Sequence, residues 1–162
     1  MQEHPYSSMV LSITQCKPNP VGRDRLGTDI PNSQLAGEWL DVKNLGTVSA
    51  DLSEIVINHI AYTQEHPEGE WRFMIGFGFA LPAGSIVRVH AGGKVDLSYL
   101  NKVDVIGADY HVFTGKGYSL NNYKDDKIGI WHPTRKVWID IAKYKAYPPE
   151  GKVLRRNGDY LI

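Results

Sequence analysis

The feature that most constrains this chain is a period-two alternation of apolar and polar residues in short runs. In the run from Glu38 to Lys43, Leu40 and Val42 fall on one face while Asp41 and Lys43 fall on the other. Because successive side chains of a strand point to opposite faces of a sheet, this pattern indicates strands with one buried face. The runs predicted as strands are Met9–Thr14, Glu38–Lys43, Glu54–Tyr62, Glu70–Phe77, Ile86–His90, Tyr110–Phe113, Lys127–Trp131 and Lys136–Tyr144.

Gly, Pro and Asn separate these runs and predict turns between them. The turn segments are Asn19-Pro20, Asn44-Leu45-Gly46, His66–Gly69, Leu81–Gly84, Ala91–Gly93 and His132-Pro133. The segment Glu54–Tyr62 can also be argued as a helix, but its β-branched residues favour a strand. Asp96–Asp109 is either a loop or a short helical turn near Leu97–Leu100. The predicted fold class is all-β, a sandwich or barrel of about eight to nine short strands.

Size and charge suggest an ordinary globular domain. The 162 residues suggest one domain, and 42% hydrophobic with 22% charged residues argues against wholesale disorder. Acidic and basic residues balance at 18 each, so no overall field attracts nucleic acid or an anionic membrane. No apolar run approaches the ~20 residues of a membrane span. No membrane association is therefore expected.

The single cysteine, Cys16, excludes an intramolecular disulfide. The start, Met1–Tyr6, has no basic residue followed by an apolar stretch and is not a signal peptide. Both observations favour a cytoplasmic location, although a chain trimmed from an exported protein would look the same.

The two ends differ from the middle. Residues 1–8 are predicted as an N-terminal extension, 9–144 as the domain, and 145–162 as a C-terminal tail that begins with a break at Lys145–Gly151. Pro18–Leu35 is polar and reads as a long ordered loop. The apolar end of the tail, Tyr160–Ile162, is expected either to return to the sheet or to add a strand to a neighbouring molecule, which would give a dimer. The oligomeric state is left open.

Several motifs occur in a recognisable order along the chain. They are Glu38-Trp39-Leu40-Asp41-Val42-Lys43-Asn44 with Gly46 and Asp51-Leu52-Ser53; then Phe79, Leu81, Pro82, Gly84, Val87 and Val89; then Asn121-Asn122 with Asp125-Asp126; and last Ile139-Asp140 with Tyr144. This order resembles the lamin tail domain, and Asn19–Asp24 is similar to a loop of its bacterial members. The resemblance extends from about Met9 to Tyr144. It departs from the family at Glu54-Ile55, where members often have Gly-Trp, and at Lys94–Asp109, which looks like an insertion.

The resemblance implies an immunoglobulin-like β-sandwich and no particular activity. Members of the family serve as binding or tethering modules attached to varied proteins, so function inferred from it is an analogy. The prediction is that the chain is not an enzyme and holds no cofactor.

Two acidic features are candidate sites as well as candidate structural loops. Asn19, Gly22 and Asp24 suit a locked turn, because Asn-Pro sets a turn and Gly22 permits positive φ. The alternative is a cation or ligand site that uses Asp24 with Asp29. Asp125 and Asp126 are flanked by lysines, which favours solvated carboxylates in a turn over Ca²⁺ ligation or acid–base catalysis. A metal-dependent hydrolase that combines these acidic loops is the third functional hypothesis.

The sequence does not favour a metal site built from histidines or a reactive cysteine. The six histidines show no metal-ligand spacing, and Cys16 has no nearby histidine and is expected to be packed and inert. No metal site is therefore predicted.

Aromatic residues point to a core and to one surface anchor. Most are expected inside the sandwich: Trp71, Phe73, Phe77, Phe79, Tyr110, Phe113, Trp131 and Trp138. Trp39 is the exception, because alternation places it opposite Leu40 and Val42. An exposed tryptophan there would anchor a partner.

A basic cluster with interleaved tyrosines lies late in the chain. Its members are Lys143, Lys145, Tyr147, Lys152, Arg155 and Arg156, with Tyr144. The composition suits phosphate contact with aromatic stacking, and a solvated strand and tail is the simpler reading. The function predicted is a protein-binding or tethering module that uses Trp39, a sheet edge or the tail; the alternative is nucleic-acid binding through the late cluster.

Overall fold

The computed structural model describes residues 9–22 and 30–162, and within them the protein is mostly β-strand. The strands are β1 Leu11–Lys17, β2 Trp39–Asn44, β3 Ala50–Asp51, β4 Val56–Ala61, β5 Glu70–Gly76, β6 Ala80–Leu81, β7 Ile86–His90, β8 Tyr110–Phe113, β9 Asp126–His132, β10 Val137–Tyr144, β11 Leu154–Asn157 and β12 Tyr160–Leu161. Two single helical turns, α1 Asn32–Leu35 and α2 Lys102–Val105, and two 3₁₀ turns, Leu52–Glu54 and Leu97–Tyr99, complete the described elements. The all-β prediction is confirmed.

Each of the predicted strands is present, as β1, β2, β4, β5, β7, β8, β9 and β10. The alternative of a helix over Glu54–Tyr62 is wrong, since β4 lies there, and the helical turn near Leu97 is correct. The additional strands β3, β6 and β12 have two residues each, too few to show a period. No helix in the described part of the chain is long and apolar enough to cross a membrane.

Ten strands form one curled sheet in the order β5-β4-β9-β10-β12-β11-β1-β2-β7-β8, and β3 pairs with β6. We call β5-β4-β9-β10 the β9 half and β1-β2-β7-β8 the β2 half. Between the halves, β12 pairs in parallel with β10 and antiparallel with β11, which in turn pairs antiparallel with β1. The C-terminal segment thus returns to its own sheet, as one of the two alternatives predicted.

Both halves contribute to a single core. Ile57 and Ile130 come from the β9 half, and Leu40 and Val89 from the β2 half, and all belong to one buried cluster. Burying each such side chain contributes about 1.5–3 kcal/mol, so curling the sheet around this cluster is strongly favoured. Cys16 lies in the same core, where burial, with the charge of nearby carboxylates, raises the pKa of its thiol well above the ordinary value.

Arg156 joins the two halves where they meet. Its guanidinium donates to both carboxylate oxygens of Asp140, at 2.8 and 2.9 Å, and to the carbonyl oxygens of Ile13, Ile141 and Gly158. The Asp140 carboxylate also accepts the backbone N–H of Ile13 at 2.8 Å. An arginine has five N–H donors, and all of them are used within the sheet. Arg156, which the sequence suggested as a binding residue, thus uses these donors to join strands.

Asn19 and Gly22 lie in a loop held against the segment at 148–151. The Asn19 side-chain amide donates to the Pro148 carbonyl at 2.9 Å, and the Asn19 carbonyl accepts from the Gly151 N–H at 2.6 Å. Gly22 has φ +121° and donates its N–H to the Glu150 carboxylate at 3.2 Å. The structural interpretation fits these two residues. Asp24, Asp29 and the N-terminal extension at residues 1–8 lie outside the described part of the chain.

Asp126 is buried rather than solvated, which corrects its predicted environment. It is 1% exposed and accepts the backbone N–H groups of Ile60, Asn121 and Lys127 at 2.8–3.0 Å. The Tyr144 hydroxyl lies 3.3 Å from the same carboxylate. Burial, reinforced by the charge of Asp126, raises the pKa of Tyr144 well above its usual range, so the phenol stays protonated as a donor. Asp126 therefore ties β4, β9 and the 121 loop together.

We expect Asp126→Ala to lower the free energy of unfolding by about 3–5 kcal/mol, because one buried and two partly buried N–H groups lose their acceptor. Asp125→Ala is the matched control. Asp125 is exposed. Its carboxylate accepts the Ala146 N–H at 2.8 Å and lies 3.8 Å from the exposed Lys145 ammonium, so its loss should cost less than about 1 kcal/mol. Urea denaturation measures both, and equal losses for the two variants would contradict the role given to Asp126.

Candidate functional site

Trp39 is not exposed, and the prediction that it anchors a partner at the surface is wrong. Alternation placed it correctly on the outer face of the β2 half, but its exposed fraction is 1%. The segment Lys94–Asp109, which looked like an insertion, covers that face. Its Asp104 accepts the indole N–H of Trp39 at 2.8 Å and forms a salt bridge with Lys17. We call residues 94–109 the cover segment.

A buried ionic network lies beneath the cover segment. Arg88 donates to both carboxylate oxygens of Asp41, at 2.7 and 2.9 Å, and its guanidinium lies 3.7 Å from the centre of the Trp39 ring. Arg88 also donates to the Ile106 carbonyl of the cover segment at 3.0 Å. Charge-assisted bonds of this kind are strong, and removing one partner leaves the other buried and uncompensated. The cover segment therefore helps to bury Trp39 and Arg88 on this outer face.

His90 and His111 form a stacked pair beside this network. The Nδ1 atom of His90 lies 2.6 Å from the Ala36 carbonyl oxygen, which can only accept, so Nδ1 carries the proton. Its Nε2 then accepts from His111 Nδ1 at 2.8 Å. Burial lowers the pKa of His90 to about 4, and the charges of His111 and Arg88 act in the same direction. Burial and then Arg88 also lower the pKa of His111.

The protein should lose stability as the pH falls below the pKa of His90 in the unfolded chain. Unfolded His90 titrates near pH 6.5, whereas the folded pKa is about 4, so between these values only the unfolded state binds the proton. For this one residue the loss between pH 7.5 and 5 is about 2 kcal/mol. Urea denaturation at both pH values should show a smaller pH dependence for His90→Gln than for wild type. An unchanged difference would exclude His90 as its source.

The outer face of the β9 half has no comparable cover among the described residues and carries three tryptophans. The ring centres of Trp71 and Trp138 lie 4.3 Å apart, and those of Trp131 and Trp138 lie 4.7 Å apart. Trp71 is 36% exposed, and Phe73 on the same strand is 51% exposed. The prediction that Trp71 and Phe73 are core residues is wrong, and so is the same prediction for Tyr110, which is 40% exposed at the edge strand β8. We call Trp71, Trp131 and Trp138 the tryptophan cluster.

Register explains why these rings face outward. On β9, Ile128 and Ile130 are 0% exposed and face the core, so the intervening Gly129 and the following Trp131 face out. Trp131 lies directly opposite Trp138 on β10. Gly129 has no side chain, which leaves the space where Trp71 and Trp138 meet. Strict alternation through Ile128-Gly129-Ile130-Trp131 was a signal in the sequence that could have placed Trp131 outside.

Gly129→Ala should displace the cluster. A Cβ at Gly129 would lie 2.5 Å from Cζ3 of Trp138 and 3.1 Å from Cη2 of Trp71. We expect a changed near-UV circular dichroism spectrum and a Tm lower by about 3–8 °C. In Gly117→Ala the added Cβ meets nothing within 4 Å, so that control should shift neither quantity appreciably. Matching spectra for wild type and Gly129→Ala would contradict the packing described.

A groove of about 360 Å³ adjoins the cluster on the β9 half. Trp71 on β5 and Tyr160 on β12 both line it, although they come from opposite sides of β4, β9 and β10 in the strand order. Lys127, Lys143 and Lys145 line it between them. The remaining lining residues are Ile60, Tyr62, Glu68, Gly69, Glu70, Asp125, Asp126 and Tyr144. Burial and then the charges of Asp126 and Asp125 raise the pKa of Tyr62.

The members of the predicted late cluster have different surroundings. Lys143 and Lys145 line the groove, and Lys145 lies 3.8 Å from the Asp125 carboxylate and 5.6 Å from the Tyr160 ring centre. Tyr147 is 73% exposed, with its ring packed edge-on against Tyr123. Arg155 is exposed and borders a separate cavity beside the cover segment. Of the late cluster, the structure thus brings Lys143, Tyr144 and Lys145 to the groove. It adds Lys127, Trp71 and Tyr160, which the sequence did not predict as binding residues.

Within residues 9–22 and 30–162, no three His, Cys, Asp or Glu side chains form a group that could hold a metal ion. Asp125 and Asp126 are not a functional pair, since one accepts a loop amide at the surface and the other is buried among strand amides. The groove is therefore the candidate functional site.

Comparison with known proteins adds no relative: no family model matches this sequence, and no curated protein matches it.

Proposed function

We propose that the protein is a non-enzymatic interaction module with an immunoglobulin-like sandwich of the lamin tail type, and that it binds a protein partner through the tryptophan cluster. The observation behind the proposal is the contrast between the two outer faces. One tryptophan, Trp39, lies under the cover segment, whereas Trp71, Trp131 and Trp138 have no such cover in the described structure. Contiguous exposed apolar surface of this kind marks interaction sites on soluble proteins.

The residue types of the face suit a protein interface. Tryptophan is the side chain most enriched among residues that dominate binding energy, because it removes a large rigid area from water. Ile141 and the aliphatic stems of Lys127 and Lys143 extend this area beside the rings. A protein partner would find an apolar centre with a charged rim, the usual arrangement of such interfaces.

The non-enzymatic part of the proposal rests on how the buried carboxylates are used. Asp126 accepts backbone amides, Asp140 binds Arg156, and Asp41 binds Arg88. A general acid or base needs a proton to exchange with a substrate. These three carboxylates are instead committed to holding strands together.

Nucleic-acid binding is the second candidate, because Lys127, Lys143 and Lys145 line one groove with Trp71 and Tyr160. Proteins bind single-stranded nucleic acid by stacking its bases on aromatic side chains and by placing lysines beside its phosphates. Two observations weigh against it. Arg156 is fully engaged within the sheet, and Glu68, Glu70 and Asp125 line the same groove and would repel a polyanion.

We expect Trp71→Ala to reduce capture of the cellular partner at least about tenfold while leaving the circular dichroism spectrum unchanged. Tyr99→Ala is the matched control, since Tyr99 is 75% exposed on the cover segment, away from the cluster. Quantitative pull-down from the host, with identical bait loading, compares the three proteins. Recovery of the same partners in the same yield by wild type and Trp71→Ala would refute the proposed surface.

A further inference from the structure

Two lysines on the outer face of the β9 half are placed directly side by side. Lys127 on β9 pairs opposite Lys143 on β10, so both side chains lie on the same face of the sheet. Like charges directly opposite each other destabilise a sheet. Neither ammonium forms a salt bridge with any residue in 9–22 or 30–162. An unbalanced pair of this kind is a site where an anionic group would be stabilised.

The other charges of the groove are arranged unevenly. At the wall formed by β5, Glu70 binds His66 at 3.1 Å and Arg72 at 3.4 Å, and Glu68 lies nearby in the same turn. The three lysines lie toward β10 and β12. The groove therefore has carboxylates at its β5 wall. Toward Tyr160, Asp125 lies 3.8 Å from Lys145, whereas Lys127 and Lys143 form no salt bridge among the described residues. A uniformly charged ligand would be repelled at one end, whereas a segment with acidic residues at one end only would be complementary along its length.

We infer that the groove receives a short extended peptide of the partner, with its Asp or Glu carboxylates on Lys127 and Lys143 and an apolar or aromatic side chain against Trp71. This inference rests on the proposed function and specifies the partner's chemistry. A peptide supplies local acidic charge together with apolar side chains, which the aromatic walls and the lysine pair both require. Nucleic acid supplies stacking rings but carries charge at every step of its backbone.

The experiment selects ligands without assuming a sequence. A phage library of random peptides of about a dozen residues is selected in parallel on the full wild-type chain, on the double variant Lys127→Gln/Lys143→Gln and on Lys94→Gln. Lys94 is an exposed lysine of the cover segment, and its variant is the control for loss of a lysine away from the groove. The double variant should fold normally, because removing opposed like charges relieves repulsion. Circular dichroism and a thermal melt confirm this before selection.

Peptides from wild type and from Lys94→Gln should contain Asp and Glu at about three times their frequency in the unselected library or more, and this enrichment should disappear on the double variant. The best peptide, measured by fluorescence anisotropy at low salt, should bind the double variant at least about tenfold more weakly than wild type. A version of that peptide with Gln and Asn in place of Glu and Asp should bind the wild-type protein about tenfold more weakly than the original peptide does.

Three other results would each overturn the inference. Peptides that require Trp71 but show no acidic enrichment would overturn the inference and leave the protein-binding function intact. If no selected peptide loses affinity in Trp71→Ala, both the inference and the proposed surface are wrong. If oligothymidylate competes with the peptides and binds more tightly than they do, with steep salt dependence, the groove is a nucleic-acid site and the inference fails.

Discussion

The guanidinium of Arg156 holds the seam between the two halves of the sheet, and the outer faces on both sides depend on it. Backbone pairing at the seam is short, with one pair between β10 and β12 and two between β11 and β1. Such ladders contribute little by themselves. The bidentate contact with Asp140, together with the carbonyls of Ile13 and Ile141, adds charge-assisted bonds that reach β1, β10 and β11 at once. Tyr160 on β12, a wall of the groove, is positioned by the same seam.

The two outer faces of the sheet differ in whether their aromatic and charged side chains are covered. On the β2 half, polar and aromatic side chains are enclosed by the cover segment, and their charges are satisfied as Lys17–Asp104 and Asp41–Arg88. On the β9 half, three indoles pack on each other and the paired lysines beside them have no described partner. The proposed partner would cover Trp71, which is 36% exposed, as the cover segment covers Trp39. This contrast is the reason we propose the β9 half as the functional face.

Alternation predicted the strands and the side of the sheet for Trp39, because a strand's period is local. It could not predict that Trp39 is buried, because that depends on a segment some sixty residues further along the chain, whose Asp104 reaches its indole. The reverse error at Trp71 arose from assuming that aromatic volume belongs in the core. The late basic residues form a single cluster in sequence. In the fold, however, Lys143 lies on β10 at the groove, whereas Arg156 lies on β11 at the seam. Asp125 and Asp126, adjacent in sequence, differ because only Asp126 begins a strand next to β4.

The seam also has a consequence for how the chain reaches this structure. The contact between Ile13 and Arg156 spans 143 positions, and loops of that length close late because their entropy cost precedes any gain. Until they close, β1 has an unpaired edge with a partly apolar sequence. Such edges are where partly folded chains associate. Refolding yield should therefore be governed by the time that β1 spends uncovered, which makes dilution during refolding more important than the strength of the finished core.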